Sequence, residues 1–107
     1  GWPMYYDWVP QKLFAFAAWL RHTSAADMYI AELQAEPWFT DASPLTLSAE
    51  EQKKKFSVKR LQRHAWVAEH IGSPRAYWWG TEWWYFMKEK QNEPAYWNAA
   101  REIMNRK

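Results

Sequence analysis

Two short runs of strand-forming residues flank a helical stretch, and that order restricts the fold more than any other feature of the chain. The first run, Met28-Tyr29-Ile30-Ala31-Glu32-Leu33, is long enough for a strand and too short for a helix. It ends before Pro37, which has no N–H to give to a ladder. The second, Ala76-Tyr77-Trp78-Trp79, is broken by Gly80. Between them Ser57 can cap a helix in which Val58, Leu61, Ala65 and Ala68 form one stripe, with Gly72 and Pro74 to end it. Strand, helix, strand in this order predicts a βαβ unit, because parallel neighbours require a crossover connection. The fold class expected is therefore α/β and helix-rich, with two to three short parallel strands and crossover helices. Parallel sheets are normally covered on both faces, so so few strands are expected to form the end of a larger fold. The start at Gly1, in mid-pattern and without an initiator Met, gives the same expectation.

The rest of the chain fits round that unit. Trp2 to Trp8 reads as an extended, aromatic-rich segment bounded by Pro3 and Pro10. Leu13, Phe16, Ala17 and Leu20 then recur at helical spacing, in a helix expected to stop near His22. A long loop containing Pro44 follows Trp38, and the spacing of Ser48 and Glu51 predicts a capping box on a short helix over Ala49 to Lys55. Glu82 to Lys90 reads as helix, and Pro94 opens a last helix with Trp97, Ala100 and Met104 on one face. There is no internal repeat.

Ten tryptophans, six tyrosines and five phenylalanines in 107 residues exceed what a domain of this size needs for a core. Each buried indole contributes roughly 4–6 kcal/mol gross, so this surface must be buried, line a ligand cleft, or be covered by further chain. Trp2, Trp8, Trp19, Trp66, Trp83, Trp84, Tyr85 and Phe86 are expected in the core. The net charge of +2 is too small to argue for nucleic acid. Lys53-Lys54-Lys55 with Lys59, Arg60 and Arg63 reads as a solvated face, although basic residues beside exposed aromatics are also the footprint of a nucleic-acid or partner-binding module. The absence of cysteine excludes disulfides and thiolate metal sites and leaves the compartment open. The apolar run Leu13 to Leu20 is too short to span a bilayer. His64 and His70 fall on different helix faces, so neither they nor His22 predict a metal site; these histidines are expected at the surface or half-buried. No phosphate loop or nucleophile elbow is present, and no cofactor is expected.

Strand alternation predicts Ile30 and Glu32 on one face and Tyr29, Ala31 and Leu33 on the other. A carboxylate at the C-terminal end of a buried strand, with Trp38 just beyond, is costly unless paired, protonated or catalytic. A bridge to a nearby Arg or Lys is the plain alternative for Glu32. Glu36 reads as a loop residue contacting backbone N–H groups rather than as a second catalytic acid.

Ala31-Glu32-Leu33-Gln34-Ala35-Glu36-Pro37-Trp38 and Trp79-Gly80-Thr81-Glu82-Trp83-Trp84-Tyr85 resemble the last two strand ends of retaining (β/α)8 glycoside hydrolases. In that clan one glutamate ends strand four and another ends strand seven. Many bacterial members close with Trp-Gly-x-Glu-Trp-Trp-Tyr and a final helix containing tryptophan, as Tyr96-Trp97 supplies here. The resemblance covers residues 1–107 as one incomplete C-terminal portion of a TIM barrel, from the tail of strand six through helix eight, with no separate second domain. It implies that Glu32 is the nucleophile that forms a glycosyl-enzyme intermediate. It implies too that Trp79 forms the sugar-binding floor, that Trp38 extends it, and that Tyr6 hydrogen-bonds the nucleophile. Glu82 has two readings: a substrate contact, or a first-turn carboxylate that favours the helix dipole.

The partners so implied are an oligo- or polysaccharide and the missing N-terminal part of the barrel, with no nucleic acid and no membrane. The family's acid/base glutamate belongs to strand four, which this chain does not contain. Asn92-Glu93-Pro94 spells that tripeptide but falls between two helices, where a capping role explains it better. Retaining hydrolysis needs both carboxyls, so this fragment alone is expected to be inactive. A non-catalytic carbohydrate-binding relative would keep the aromatic floor without the chemistry.

Overall fold

A computed structural model describes residues 11–106. Their order is α1 (Gln11–Leu20), a 3-10 turn (Ala25–Asp27), β1 (Ile30–Gln34), α2 (Ala49–Lys55), α3 (Val58–His70), β2 (Ala76–Trp79), α4 (Thr81–Lys90) and α5 (Ala95–Met104). The fold is α/β and helix-rich, and β1 and β2 pair in parallel, with α3 in the crossover between them. Trp2 to Trp8 and Pro10 lie outside the described residues.

Local chemistry sets the helix limits. Ser48 accepts from the Glu51 N–H while the Glu51 carboxylate accepts from the Ser48 N–H, closing the expected capping box on α2. The Ser48 hydroxyl also donates to that carboxylate at 2.7 Å, and this bond, helped by the Ser48 N–H, holds the Glu51 carboxyl below its ordinary pKa. Ser57 caps α3 through the Arg60 N–H, and Gly72 follows the end of α3 with φ of +89°. The core lies between the sheet and α3, α4 and α5, built on Ala35, Phe56, Leu61, Trp84, Met87 and Tyr96. The polar side-chain atoms of Tyr96 and Gln52 find partners there. The Tyr96 hydroxyl donates to the Phe56 carbonyl, and burial above all pushes its pKa up to about 12. Gln52 donates to the carbonyls of Pro44 and Leu47 and accepts from the Trp83 indole at 2.8 Å, tying the long loop to α2.

Several expectations are corrected by helical phase. In α4, Trp83, Trp84 and Met87 face the core, which turns Tyr85 outward and leaves Phe86 half-buried. In α5, Tyr96, Ala99, Ala100 and Ile103 are buried, so Met104 is exposed instead of sharing the core face. Trp66 lies off the Leu61–Ala65–Ala68 stripe and stacks in the open on His70, with Arg63 over its ring. His64, expected nearer the surface, is buried and donates from Nδ1 to the Gln34 carbonyl at 2.6 Å. In α1 the stripe of Leu13, Phe16 and Leu20 is exposed, together with Ala17 and Trp19. Among the described residues the main contact of α1 is with the small 3-10 turn, which has little surface to cover such a stripe.

The expected alternation in β1 is also corrected. Ile30 pairs with Ala76 and Leu33 with Trp78, so three steps along β1 match two along β2, a bulge over Ala31 and Glu32. The bulge changes the phase of the strand. Ile30 and Leu33 are half-buried on the helix side with Ala76 and Trp78, whereas Ala31 and Glu32 are exposed with Tyr77 and Trp79. Glu32 therefore does not share a face with Ile30, and its strand is buried on one side only. Among the described residues the other side of the sheet is bare, and each strand has one unpaired edge.

Candidate functional site

Parallel strands bring their C-terminal ends together, and in open and closed α/β folds that is where ligands bind. Here the end of β1 runs into Ala35-Glu36-Pro37-Trp38 and the end of β2 into Gly80. The ladder continues past the strands, with the Ala35 N–H donating to the Trp79 carbonyl at 2.8 Å. The Trp84 indole holds the Ala35 carbonyl from the core side at 2.7 Å. Gly80, at φ of +129°, lets the two backbones touch: a Cβ there would lie 2.9 Å from the Ala35 carbonyl carbon and 2.8 Å from the Glu36 Cβ. The Gln34 side-chain amide bonds the Glu36 carbonyl at 2.9 Å, and Pro37, fully buried, fixes the exit of the chain.

On this clamped corner lies a cleft of about 490 Å³, lined by Glu32, Gln34, Glu36, Trp38, Phe39 and Trp79 among others. That volume is in the range of small-ligand sites. Three residues singled out from sequence, Glu32, Trp38 and Trp79, thus line one cleft. Both indoles are half or more exposed, with Trp79 at 57 % and Trp38 at 53 %. Glu32 is exposed and has no hydrogen-bond partner among the described residues. Glu82 is not in the cleft wall but is close enough to Glu36 for their charges to interact, from the first turn of α4. Tyr6 lies outside the described residues.

Sequence reasoning undervalued Glu36. Among the described residues its carboxylate meets no backbone N–H group of the kind expected; its Oε1 accepts the Trp79 indole N–H at 2.9 Å. Burial raises its pKa, the indole bond partly offsets that, and the nearby Glu82 raises it further. The signal for it was available in the pairing of Trp79-Gly80 with Glu36-Pro37: a glycine directly after a strand end marks a close backbone approach. Glu93, the decoy, pairs with Lys53 at 3.0 Å between α2 and the α4–α5 turn. Among the described residues no group of His, Asp and Glu is placed to hold a metal ion, and no helix is long and apolar enough to cross a membrane. Compared with known proteins, the chain matches no family model, no curated protein and no solved structure at a significant level.

Proposed function

We propose that this chain is the C-terminal part of a retaining (β/α)8 glycoside hydrolase, with Glu32 the nucleophile and Trp79, extended by Trp38, the sugar platform. The observation that supports it is the shared cleft: a carboxylate and two indoles converge where two parallel strands end. The bare side of the sheet corresponds in this reading to the barrel interior, and the covered side to the layer of outer helices. An indole face suits the C–H-rich face of a pyranose, which would present its anomeric carbon to a carboxylate at the same rim. Attack by Glu32 forms a glycosyl ester and expels the leaving group, which a second carboxyl protonates; water then releases the sugar with retention. The second carboxyl is assigned to strand four of the complete barrel.

The test uses the product of the complete gene and an activated 2-deoxy-2-fluoro glycoside, which accumulates the ester. Peptide mass mapping is expected to place the sugar on Glu32, and Glu32→Gln to abolish labelling. Label on another residue, with Glu32→Gln still active, ends the assignment. One observation favours a second reading, a carbohydrate-binding relative without chemistry: Trp79 is held in place while Glu32 has no donor beside it among the described residues. In that case sugars bind and no ester accumulates.

A further inference from the structure

We infer that Glu36 is the positioning and specificity residue of the cleft: it holds the plane of Trp79 and makes the platform select an uncharged sugar over a uronate. This rests on the carbohydrate reading of the cleft given above.

An exposed tryptophan on a sheet face is free to turn about two side-chain torsions, and a ligand that stacks on it must arrest both. The Glu36 carboxylate does so in advance, through the 2.9 Å bond to the indole N–H. Its own position is imposed by backbone contacts on either side: the Ala35 bonds to Trp79 and Trp84, the Gln34 amide on the Glu36 carbonyl, and the buried Pro37. An indole N–H lies in the ring plane, so the carboxylate sits at the ring's edge and leaves the stacking face clear. A pyranose stacked on that face carries its equatorial hydroxyls at its rim, within reach of a carboxylate so placed.

The charge of the cleft lining sets the selectivity. Its ionisable residues are Glu32 and Glu36, and no Lys, Arg or His stands among the lining residues. Glu82 adds a third carboxylate near Glu36. A sugar bearing a carboxylate meets only like charge there, with no cation to compensate, and like-charge juxtaposition is a strong means of rejection.

The product of the complete gene, carrying Glu32→Gln in every sample to prevent turnover, is titrated with neutral tetrasaccharides of gluco, manno, galacto and xylo configuration, and with the C6-carboxylate counterpart of each hexose member. The readout is affinity together with the Trp79 indole N–H resonance, assigned by its loss in Trp79→Phe. At least one neutral sugar is expected to shift that resonance, and its carboxylate counterpart to bind at least about tenfold more weakly. Glu36→Gln keeps an oxygen for the indole and removes the charge, so the free-state resonance stays close to wild type and the discrimination narrows. Glu36→Ala moves the free-state resonance and weakens neutral binding roughly tenfold, the scale of a lost charge-assisted bond.

Equal binding of the uronate overturns the selectivity. An unmoved Trp79 resonance in Glu36→Ala overturns the positioning. Neutral binding with unchanged discrimination in Glu36→Gln removes Glu36 from specificity while the platform stands. Failure of every sugar to bind overturns the carbohydrate reading, and the selectivity with it.

Discussion

The two faces of the β1–β2 sheet carry much the same chemistry and do different things with it. Both are aromatic: Trp78 looks toward α3, α5 and the core, and Tyr77 and Trp79 look away from them. What separates them is how each indole N–H is satisfied. In the core, Trp83 donates to the neutral side chain of Gln52 and Trp84 to the Ala35 carbonyl, both bonds being buried. On the open face Trp79 donates to a carboxylate, Glu36, in contact with solvent. A carboxylate would be a costly acceptor inside the core, and at a wet rim it can also meet a ligand. The partner of the indole, more than the indole itself, distinguishes a packing tryptophan from a platform.

Truncation on each side of the sheet is the most direct way to break that comparison. Trp84→Ala should cost about 3–5 kcal/mol, since it empties a fully enclosed site and orphans the Ala35 carbonyl. Tyr77→Ala on the open face removes an edge-on contact with Tyr29 and should cost less than about 1 kcal/mol. Urea midpoints at a common slope measure both. Similar losses would mean that the open face is covered in solution.

The join between the faces gives the next effect. Gly80→Ala forces a side chain into a backbone region that disfavours it, a cost of about 1–3 kcal/mol. Its Cβ also meets the Ala35 backbone and the Glu36 Cβ, so the damage should reach the cleft. Stability and the Trp79 indole resonance should change together. A destabilised protein with an unmoved Trp79 would separate the strand ends from the platform.

Much of this was legible in sequence because it is written in local chemistry. The Ser48–Glu51 box, the Ser57 cap, the Gly72 stop and the order of strands and helices all depend on residues close together in the chain. The faces were harder. A period of two predicts that Ile30 and Glu32 agree, but the extra residue in β1 is defined by pairing with β2, and one residue of slip moves a side chain to the other face. The exposure of Trp19, Trp66, Tyr85 and Met104 likewise follows from which neighbours exist and not from hydrophobicity. At the cleft, Glu32 and Trp79 stood out through flanking motifs, whereas Glu36 needed a contact made between residues 43 positions apart.

The smallest effect is the one that isolates Glu36 electrically. Its pKa is raised in the folded chain, chiefly by burial and further by Glu82, above an ordinary value of 4.5. The folded state therefore holds a proton that the unfolded state has lost across the window that opens near 4.5 and closes above the raised value. The stability linked to Glu36 is fully present below that window and declines as pH rises through it. Glu51 acts in the opposite sense, because its lowered pKa contributes stability that is lost on acidification. Wild type and Glu36→Gln share the Glu51 contribution, so the difference between their urea midpoints from pH 4 to pH 7 reports Glu36 alone. That difference should move in favour of Glu36→Gln as pH rises. A flat difference would mean that the carboxylate is as well solvated in the cleft as in the unfolded chain, and that the open face, with its one buried-edge acceptor, is wetter than its geometry implies.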